Sequence, residues 1–596
     1  MTIDDLTLFH NSVRSSFEFL KKTTKIDELF AKQIPIKNDL GTLLPVCQLH
    51  VGDSNLISDL SNWRRGNQHA FPTRFIVDDG RTAMWLNKKL LDVDDRILFL
   101  IHDKYGNRVG HLGFANCISN EMRFEIDNVV RGENSLAPGI MHNALETLME
   151  WARTTLGVND FFLRVLASNS HAISFYQRLG FQQTERIPMR KVTNSDSELL
   201  VPFDNKTTED PDDFFTVMVF SRKPIVVPEQ PILTAGPSIS EREVFYSWDA
   251  ARNGWNRNWN FYIRKFESQF SEFLGVSHSI STSSCTGALH IAMSALGIGP
   301  GDEVIVPEIT WVATANAVSL VGAIPVFCDV ESDTWCLDPF KLEDLITART
   351  KAVVPVHLYG HPAKMDEIVK VARNHNLFVV EDAAPAIGAE WKGERVGSFG
   401  DFACFSLQGA KLLVAGEGGV LVTNQTDLYE KAKKIWDQGR DPNKTFWIDS
   451  PGLKYKMSNI QAAIALGQIE RCDQQIIMKR RIAEWYRHGL EQCPFISMFS
   501  EHVNAKSIYW MSSCLVHEDS PISRDLLCDE LRKRKIDTRP IFPAISQYPI
   551  WPTLKNPKPI AQSIGRRGIN LPSGVCLTRE EVNYVTTEVK KIMSQS

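Results

Sequence analysis

Apolar positions follow one rhythm up to about residue 223 and a different one from residue 240 to the end. In the first stretch, apolar runs of strand length at 96–102, 123–130 and 160–166 alternate with segments of helical spacing. Between the last two runs, Ile140, Ala144, Leu145, Leu148, Trp151 and Ala152 share one helical face, which predicts an amphipathic helix over 139–152. Period-two alternation puts Glu125 and Asp127 on one face of the 123–130 strand. The polar, acidic stretch 193–213 predicts a surface loop ahead of a last strand at 214–220. Residues 1–43 form a mixed helical leader to which the pattern assigns no role.

Pro224, Pro228, Pro231 and Pro237 punctuate a linker over 224–239. Beyond it, strands at 303–307, 352–357 and 377–381 are short, continuously apolar and separated by helical stretches. Strands buried on both faces read this way, so a mostly parallel sheet covered by helices is expected over 240–480. From 481 to 596 apolar strands are fewer and the chain ends on a helical run at 579–593, which predicts a smaller α+β domain. The class throughout is α/β.

At 596 residues the chain exceeds what one core serves. Apolar content of 43% and charged content of 23% are those of an ordinary globular protein. A net charge of −5 offers no general basic footprint for nucleic acid. No apolar run approaches the roughly 18 residues of a membrane helix, and the first residues lack a basic segment followed by an apolar one. Eleven cysteines without CxxC spacing fit reduced thiols better than disulfides or a zinc site. The expectation is a cytoplasmic protein with no nucleic-acid partner, no membrane partner and no metal.

Lys411 concentrates the chemistry of the second half. It stands between a strand-like run and a glycine-rich turn, in Ser406-Leu-Gln-Gly-Ala-Lys411-Leu-Leu-Val-Ala-Gly-Glu-Gly-Gly419. A lone loop lysine is ordinarily a surface residue. A lysine that forms a Schiff base must spend time unprotonated, which requires a partly desolvated pocket. Upstream, Asp382 closes the apolar run Val379-Val-Glu-Asp382, where a carboxylate can keep a pyridine nitrogen protonated. The cluster Ser281-Thr-Ser-Ser-Cys285-Thr286-Gly287 leads into an amphipathic helix whose N-terminal N–H groups can hold a phosphate. Ser and Thr also cap helices that bind nothing. Trp311 could stack on an aromatic ring, although a lone tryptophan near a strand end is more often an ordinary core residue.

Together with Gly299-Pro-Gly-Asp-Glu-Val-Ile-Val-Pro307, Val356-His-Leu-Tyr-Gly-His361, Gly397-Ser-Phe-Gly-Asp401 and Lys456-Met-Ser-Asn-Ile-Gln, these segments resemble the DegT/DnrJ/EryC1/StrS family of PLP-dependent sugar aminotransferases, from about 237 to 587. The resemblance implies a fold type I enzyme in which Lys411 carries pyridoxal 5'-phosphate and moves the proton. It implies that Asp382 pairs with the ring nitrogen, Trp311 stacks on the ring, and Cys285, Thr286 and Ser406 hold the phosphate. A nucleotide-linked keto sugar and glutamate are the implied substrates, and a homodimer the implied assembly, with Lys454 in a segment that relatives extend into the neighbouring subunit's site. Arg539 stands against a substrate carboxylate or phosphate, or else in a structural salt bridge. The chain departs from the family at Pro385, where many members carry Gln or Glu, so a contact near the ring hydroxyl is lost or supplied elsewhere.

In the first half, Asn169-Ser-His-Ala-Ile-Ser-Phe-Tyr176-Gln-Arg-Leu-Gly-Phe181 follows the 160–166 strand and resembles the closing motif of GNAT N-acyltransferases, within a domain spanning 44–223. The resemblance implies acetyl-CoA as co-substrate, Tyr176 as the acid for the departing thiolate, and Asn169 and Gly139 in the acyl-CoA site. Phe175 and Tyr176 also read as plain core. Acyl transfer needs a base for the amine. Glu125 is the candidate, with Asp127 beside it, and both also read as solvated strand charges. The family's pyrophosphate loop has only a loose counterpart at 134–139. The combined expectation is transamination of a nucleotide-linked keto sugar followed by N-acylation of the new amine. The alternative keeps the aminotransferase and makes the first domain a non-catalytic binding or oligomerisation module.

Overall fold

The computed structural model describes residues 3–132, 137–194, 197–203, 210–551 and 559–594, and the chain divides into two compact units. The first comprises Met1–Pro224 and Ile239–Phe245, the second Ile225–Ser238 and Tyr246–Ser596.

The first unit is built on a ten-stranded sheet in which neighbouring strands run antiparallel at every pairing but one. The exception is Arg123–Arg131 beside Asp160–Leu166. Helix Ile140–Leu156 joins these two strands, and all six apolar positions expected on one face are buried. Gly139 and Gly157 bracket it with φ of 80° and 72°, a left-handed backbone that glycine adopts without strain. Pairing of the parallel strands stops at Glu125↔Phe162 although both run on, to Arg131 and Leu166, so a cleft opens between them.

Helix Ile3–Lys21 presents Phe9, Val13, Phe17 and Leu20 to the same core, with the Phe9 and Phe17 rings each 6.2 Å from that of Phe124. The leader is thus part of this unit's interior. The 193–213 stretch is not one loop. Strand Phe181–Asn194 turns back at Asn194↔Ser197 into strand Ser197–Pro202, and positions 195–196 and 204–209 lie outside the described residues. The apolar trio Leu199, Leu200 and Val201 is half-buried in this hairpin, and cross-strand pairing outweighs the polar composition of its surroundings.

The second unit carries a seven-stranded sheet. Strands Glu303–Pro307, Ile324–Cys328, Thr350–Val353, Phe378–Asp382 and Phe402–Ser406 pair in parallel. Gly419–Thr423 runs against both of its neighbours, Phe402–Ser406 and His278–Thr282. Val304, Ile305, Val306, Val379 and Val380 are fully buried, which is why these strands read as unbroken apolar runs. A four-stranded antiparallel sheet of Ile496–Met498, Ser512–Val516, Gly568–Leu571 and Arg539–Pro540 follows, packed with helices Cys472–Leu490, Arg524–Lys533 and Arg579–Ser594. No described helix is long and apolar enough to cross a membrane.

Candidate active site

A cavity of about 420 Å³ opens in the second unit at the carboxyl ends of the parallel strands, where α/β sheets gather ligands. Asp382 and Ser406 are the last residues of their strands, and both line it. So do Cys285, Thr286, Trp311 and Lys411, so the six cofactor positions expected in this half meet in one place.

Lys411 lies in the connection from Phe402–Ser406 to Gly419–Thr423. That connection is drawn tight by Leu407 N–H to Gly418 O (2.9 Å), Ala415 N–H to Leu407 O (2.8 Å) and Gly409 N–H to Gly416 O (3.0 Å). Lys411 Nζ stands 3.9 Å from the centroid of the Trp510 ring, whose Nε1 donates to Ala410 O at 2.8 Å. Burial lowers the lysine pKa below the usual ammonium range, against the opposing pull of Asp382 and Cys285. A desolvated ammonium gives up its proton more readily, which is the state a nucleophile needs.

Burial raises the pKa of Asp382. Hydrogen bonds accepted from Thr314 Oγ1 (2.7 Å) and the Ala384 N–H (3.1 Å), and the charge of Lys411, favour its ionised form. The strand end that presents Asp382 is itself locked. The adjacent Glu381 is fully buried and accepts from the N–H groups of Gly397 (2.8 Å), Phe399 (2.9 Å) and Gly400 (2.8 Å), and from His357 Nε2 (3.1 Å). His357 Nδ1 accepts from the Ala363 N–H at 3.0 Å, which fixes the ring proton on Nε2.

Ser284 caps helix Cys285–Ala295 by accepting from the Gly287 N–H at 3.0 Å. Gly419 pairs with Thr282 on one side and Ser406 on the other, and a Cβ there would stand 2.5 Å from Cys285 N. Only glycine permits this approach of strand to helix start, which leaves backbone and small hydroxyls around the space a phosphate would take. A buried carboxylate, a lysine without a carboxylate partner among the described residues, an aromatic wall and this cradle fit pyridoxal 5'-phosphate.

Two expected substrate residues, of which Lys454 was expected at a neighbouring subunit's site, lie outside this cavity. Arg539 is exposed and pairs with Asp537 at 3.3 Å, and Lys454 is exposed; neither lines the cavity. Pro385 does line it and brings no hydrogen-bonding side chain. Thr314, Trp510 and Phe542, whose ring lies 5.6 Å from that of Trp311, belong to the site and escaped the sequence reading. Thr314 was within reach, since it follows Trp311 by three positions on the same turn.

In the first unit, the cleft between the splayed strands is lined by Glu125, Asp127, Asn169 and Tyr176. Asn169 caps helix Ser170–Arg178, accepting from the Ala172 N–H at 3.1 Å, so its side-chain oxygen is held by the backbone. Burial, then the nearby Asp127, pushes the Tyr176 hydroxyl pKa up, which keeps it a proton donor. Both Glu125 oxygens are occupied: Oε1 by Arg164 Nε (2.7 Å), Oε2 by Arg164 Nη2 (2.9 Å) and by Asn116 Nδ2. A carboxylate whose two oxygens are both held in this way is not free to reach a substrate proton. Asp127 has no ion pair among the described residues, accepts from Asn128 Nδ2 at 2.6 Å, and has its pKa raised above the ordinary carboxylate value by burial and then by repulsion from Glu125. Gly139 opens its helix as expected in position, while Asn134, Ser135 and Leu136 of the loop ahead of it lie outside the described residues.

A family model for the acetyltransferase (GNAT) domain matches residues 51–182, and one for the DegT/DnrJ/EryC1/StrS aminotransferase family matches residues 237–590. The GDP-perosamine synthase of Caulobacter vibrioides is 39% identical over 369 residues, 61% of this chain and 98% of that protein. Helicobacter pylori PseC, an aminotransferase involved in the biosynthesis of pseudoaminic acid, shares the fold with a TM-score of 0.58 at 26% identity, covering 62% of this chain and 100% of PseC. Spr1654 from Streptococcus pneumoniae, solved in a PLP form, gives 0.57 at 26% identity over 61% and 99% of the two chains. With a GNAT domain ahead of it, the second half is a PLP-dependent sugar aminotransferase, and the chain belongs to the DegT/DnrJ/EryC1/StrS aminotransferase family.

Proposed function

We propose that this enzyme transfers an amine from glutamate to a nucleotide-linked keto sugar and then N-acetylates the product with acetyl-CoA. The observation that carries the first step is the convergence of Cys285, Thr286, Trp311, Asp382, Ser406 and Lys411 on one cavity. GDP-perosamine synthase as the name of a relative along 98% of its length favours a GDP-linked sugar.

Pyridoxal 5'-phosphate, when bound, supplies an electron sink for the carbon that loses and regains a proton. Cys285, Thr286 and Ser406 would hold its phosphate at the helix start, and Trp311 would cover its ring. Asp382, held by Thr314 and the Ala384 N–H, would keep a proton on the ring nitrogen. Lys411 Nζ takes and returns the proton at the reacting carbon, and its burial keeps the neutral amine accessible.

For the second step, Asp127 takes the amine proton in place of Glu125, because Arg164 and Asn116 hold Glu125 as a structural anchor. Tyr176 protonates the departing thiolate. The enzyme works as a homodimer in the cytoplasm. The exposed Phe446, Trp447 and Ile448 of the second unit supply apolar surface for self-association, and all eleven cysteines are free. Thiol release from acetyl-CoA by the whole chain, with an amino-sugar nucleotide as acceptor, tests the second step. No release with any such acceptor would leave the first domain a non-catalytic module.

A further inference from the structure

A second cavity of the first unit, about 350 Å³, shares Phe71, Pro72, Asp127, Asn128 and Val130 with the cleft that holds Tyr176. Asp127 therefore stands in the wall common to both. The far side of this second cavity is formed by helices Ser54–Gly66 and Asp79–Trp85, which contribute Arg64, Arg81 and Trp85. Neither arginine belongs to the acyl-donor motif around Asn169 and Tyr176.

Arg64 is the informative residue. Its guanidinium carbon lies 3.4 Å from the centroid of the Phe71 ring, and Nη2 donates to Thr73 O at 2.8 Å. Among the described residues no carboxylate pairs with it, and that carbonyl is its only hydrogen-bond acceptor. A guanidinium offers five N–H donors. Arg64 is half-buried, and a guanidinium partly removed from water with donors to spare suits an anionic ligand. Desolvation brings its pKa down to about 10, against the opposing pull of Asp127. Arg81 stands nearby, its guanidinium 5.9 Å from the Phe75 ring and 3.7 Å from an Asp78 oxygen.

The remaining lining suits a sugar. Phe75 and Trp85 line it with aromatic rings against which sugar C–H groups can pack, while Phe71 backs Arg64. His111 is buried, with Nδ1 2.7 Å from Asn128 O, and burial takes its pKa down to about 4. It is neutral at working pH and adds no competing charge. The pocket thus combines two guanidiniums, aromatic walls and one carboxylate at the boundary with the donor cleft.

We propose that this cavity is the acceptor site, and that it selects an amine carried on a phosphorylated sugar, with Arg64 and Arg81 on the phosphate and Asp127 on the amine. The inference rests on the N-acetylation reading above. In the reaction the amine nitrogen bonds to the thioester carbonyl carbon and the carbon–sulfur bond breaks. The amine proton passes to Asp127, and Tyr176 delivers one to the thiolate. The phosphate stays bound to Arg64 throughout, so its contribution appears in acceptor binding rather than in the chemical step.

The test uses the whole holoenzyme, acetyl-CoA and two acceptors with the same amine, GDP-perosamine and the methyl glycoside of perosamine. Losing a charge-assisted hydrogen bond pair to phosphate costs about ten- to a hundredfold in affinity. Arg64→Gln should raise KM for GDP-perosamine by that factor, with the acetyl-CoA KM and the methyl-glycoside KM unchanged. Arg64→Lys, which keeps the charge, should recover part of the loss. Equal weakening of both acceptors, or of neither, overturns the assignment. A wild-type chain that releases no thiol with either acceptor sinks N-acetylation itself, and the pocket is then judged by calorimetric titration with GDP-perosamine. Two sites per wild-type chain and one in Arg64→Gln uphold it; one site in both overturns it.

Discussion

Gly419→Ala is the sharpest test of the phosphate cradle. Gly419 pairs with Ser406 and Thr282, and the Cβ of an alanine would stand 2.5 Å from both Cys285 N and the Ser284 carbonyl carbon, and 2.6 Å from Ser284 O. These are backbone atoms of a capped helix start, so no side chain can swing aside. Separating strand and helix by the ångström needed is overpacking, which typically costs about 1–3 kcal/mol. The same movement pulls Cys285 and Thr286 away from Ser406, the groups assigned to one phosphate. A loss of about 1.4 kcal/mol in binding is tenfold in Kd. PLP titrated into the dialysed protein, followed by the visible absorbance of the lysine-bound cofactor, should therefore show a Kd raised at least tenfold, with a lower Tm for the apoprotein. Gly66→Ala is the control. It ends a helix in the other unit, has no heavy atom within 4 Å of the new Cβ, and should leave both readings unchanged. A Gly419→Ala protein that binds PLP like wild type would refute both the close approach and the phosphate placement.

Further expectations follow from single contacts. Thr314→Val removes the 2.7 Å hydrogen bond to Asp382, and loss of a bond to a charged group is worth about 1.5–3 kcal/mol. Transamination kcat should fall about ten- to a hundredfold with the sugar KM little changed, and an unaltered kcat would remove Thr314 from the site. Asp127→Asn should lower acetyl-transfer kcat by about 10²–10⁴ while leaving transamination intact. Glu125→Gln should instead lower the Tm, because it breaks the ion pair with Arg164; the reverse pattern would restore Glu125 as the base. Lys479 is buried, donates to the carbonyls of Trp510 and Ser573, and has its pKa brought down to about 7 by burial. Its folded pKa lies below the unfolded one, so the unfolded chain binds the extra proton between pH 7 and 10.5. Wild-type stability relative to Lys479→Met should rise with pH there, by up to about 1.4 kcal/mol per unit. Urea titrations of both proteins at pH 7 and pH 9 that move in parallel would contradict it.

The α/β class was legible because strands buried on both faces leave continuous apolar runs, and Glu303–Pro307 falls where the pattern puts it. The Ile140–Leu156 helix was legible for the complementary reason, one apolar face at helical spacing. The hairpin at Ser197–Pro202 was not, because its strand is half-buried and its few apolar residues sit among acids. Around Lys411, the groups that lie within a few positions of a strand end could be read from sequence. Trp510 could not, since it lies in the bend ahead of strand Ser512–Val516, far along the chain, and no local pattern ties it to the lysine. Glu125 shows the limit in the other direction. Alternation placed it on a face with Asp127, but only the neighbouring strand reveals that Arg164 occupies it.

Under the proposed function two consecutive reactions occur on one chain, and the mass of the product tests both at once. Holoenzyme given a GDP-linked keto sugar, glutamate and acetyl-CoA should yield a sugar nucleotide that has exchanged its carbonyl for an amine and gained one acetyl group. Lys411→Ala should yield neither change, and Asp127→Asn should stop at the free amine. Amine formation without acetylation by the wild type, at any acetyl-CoA concentration, would contradict the second reaction; an unchanged keto sugar would contradict the first.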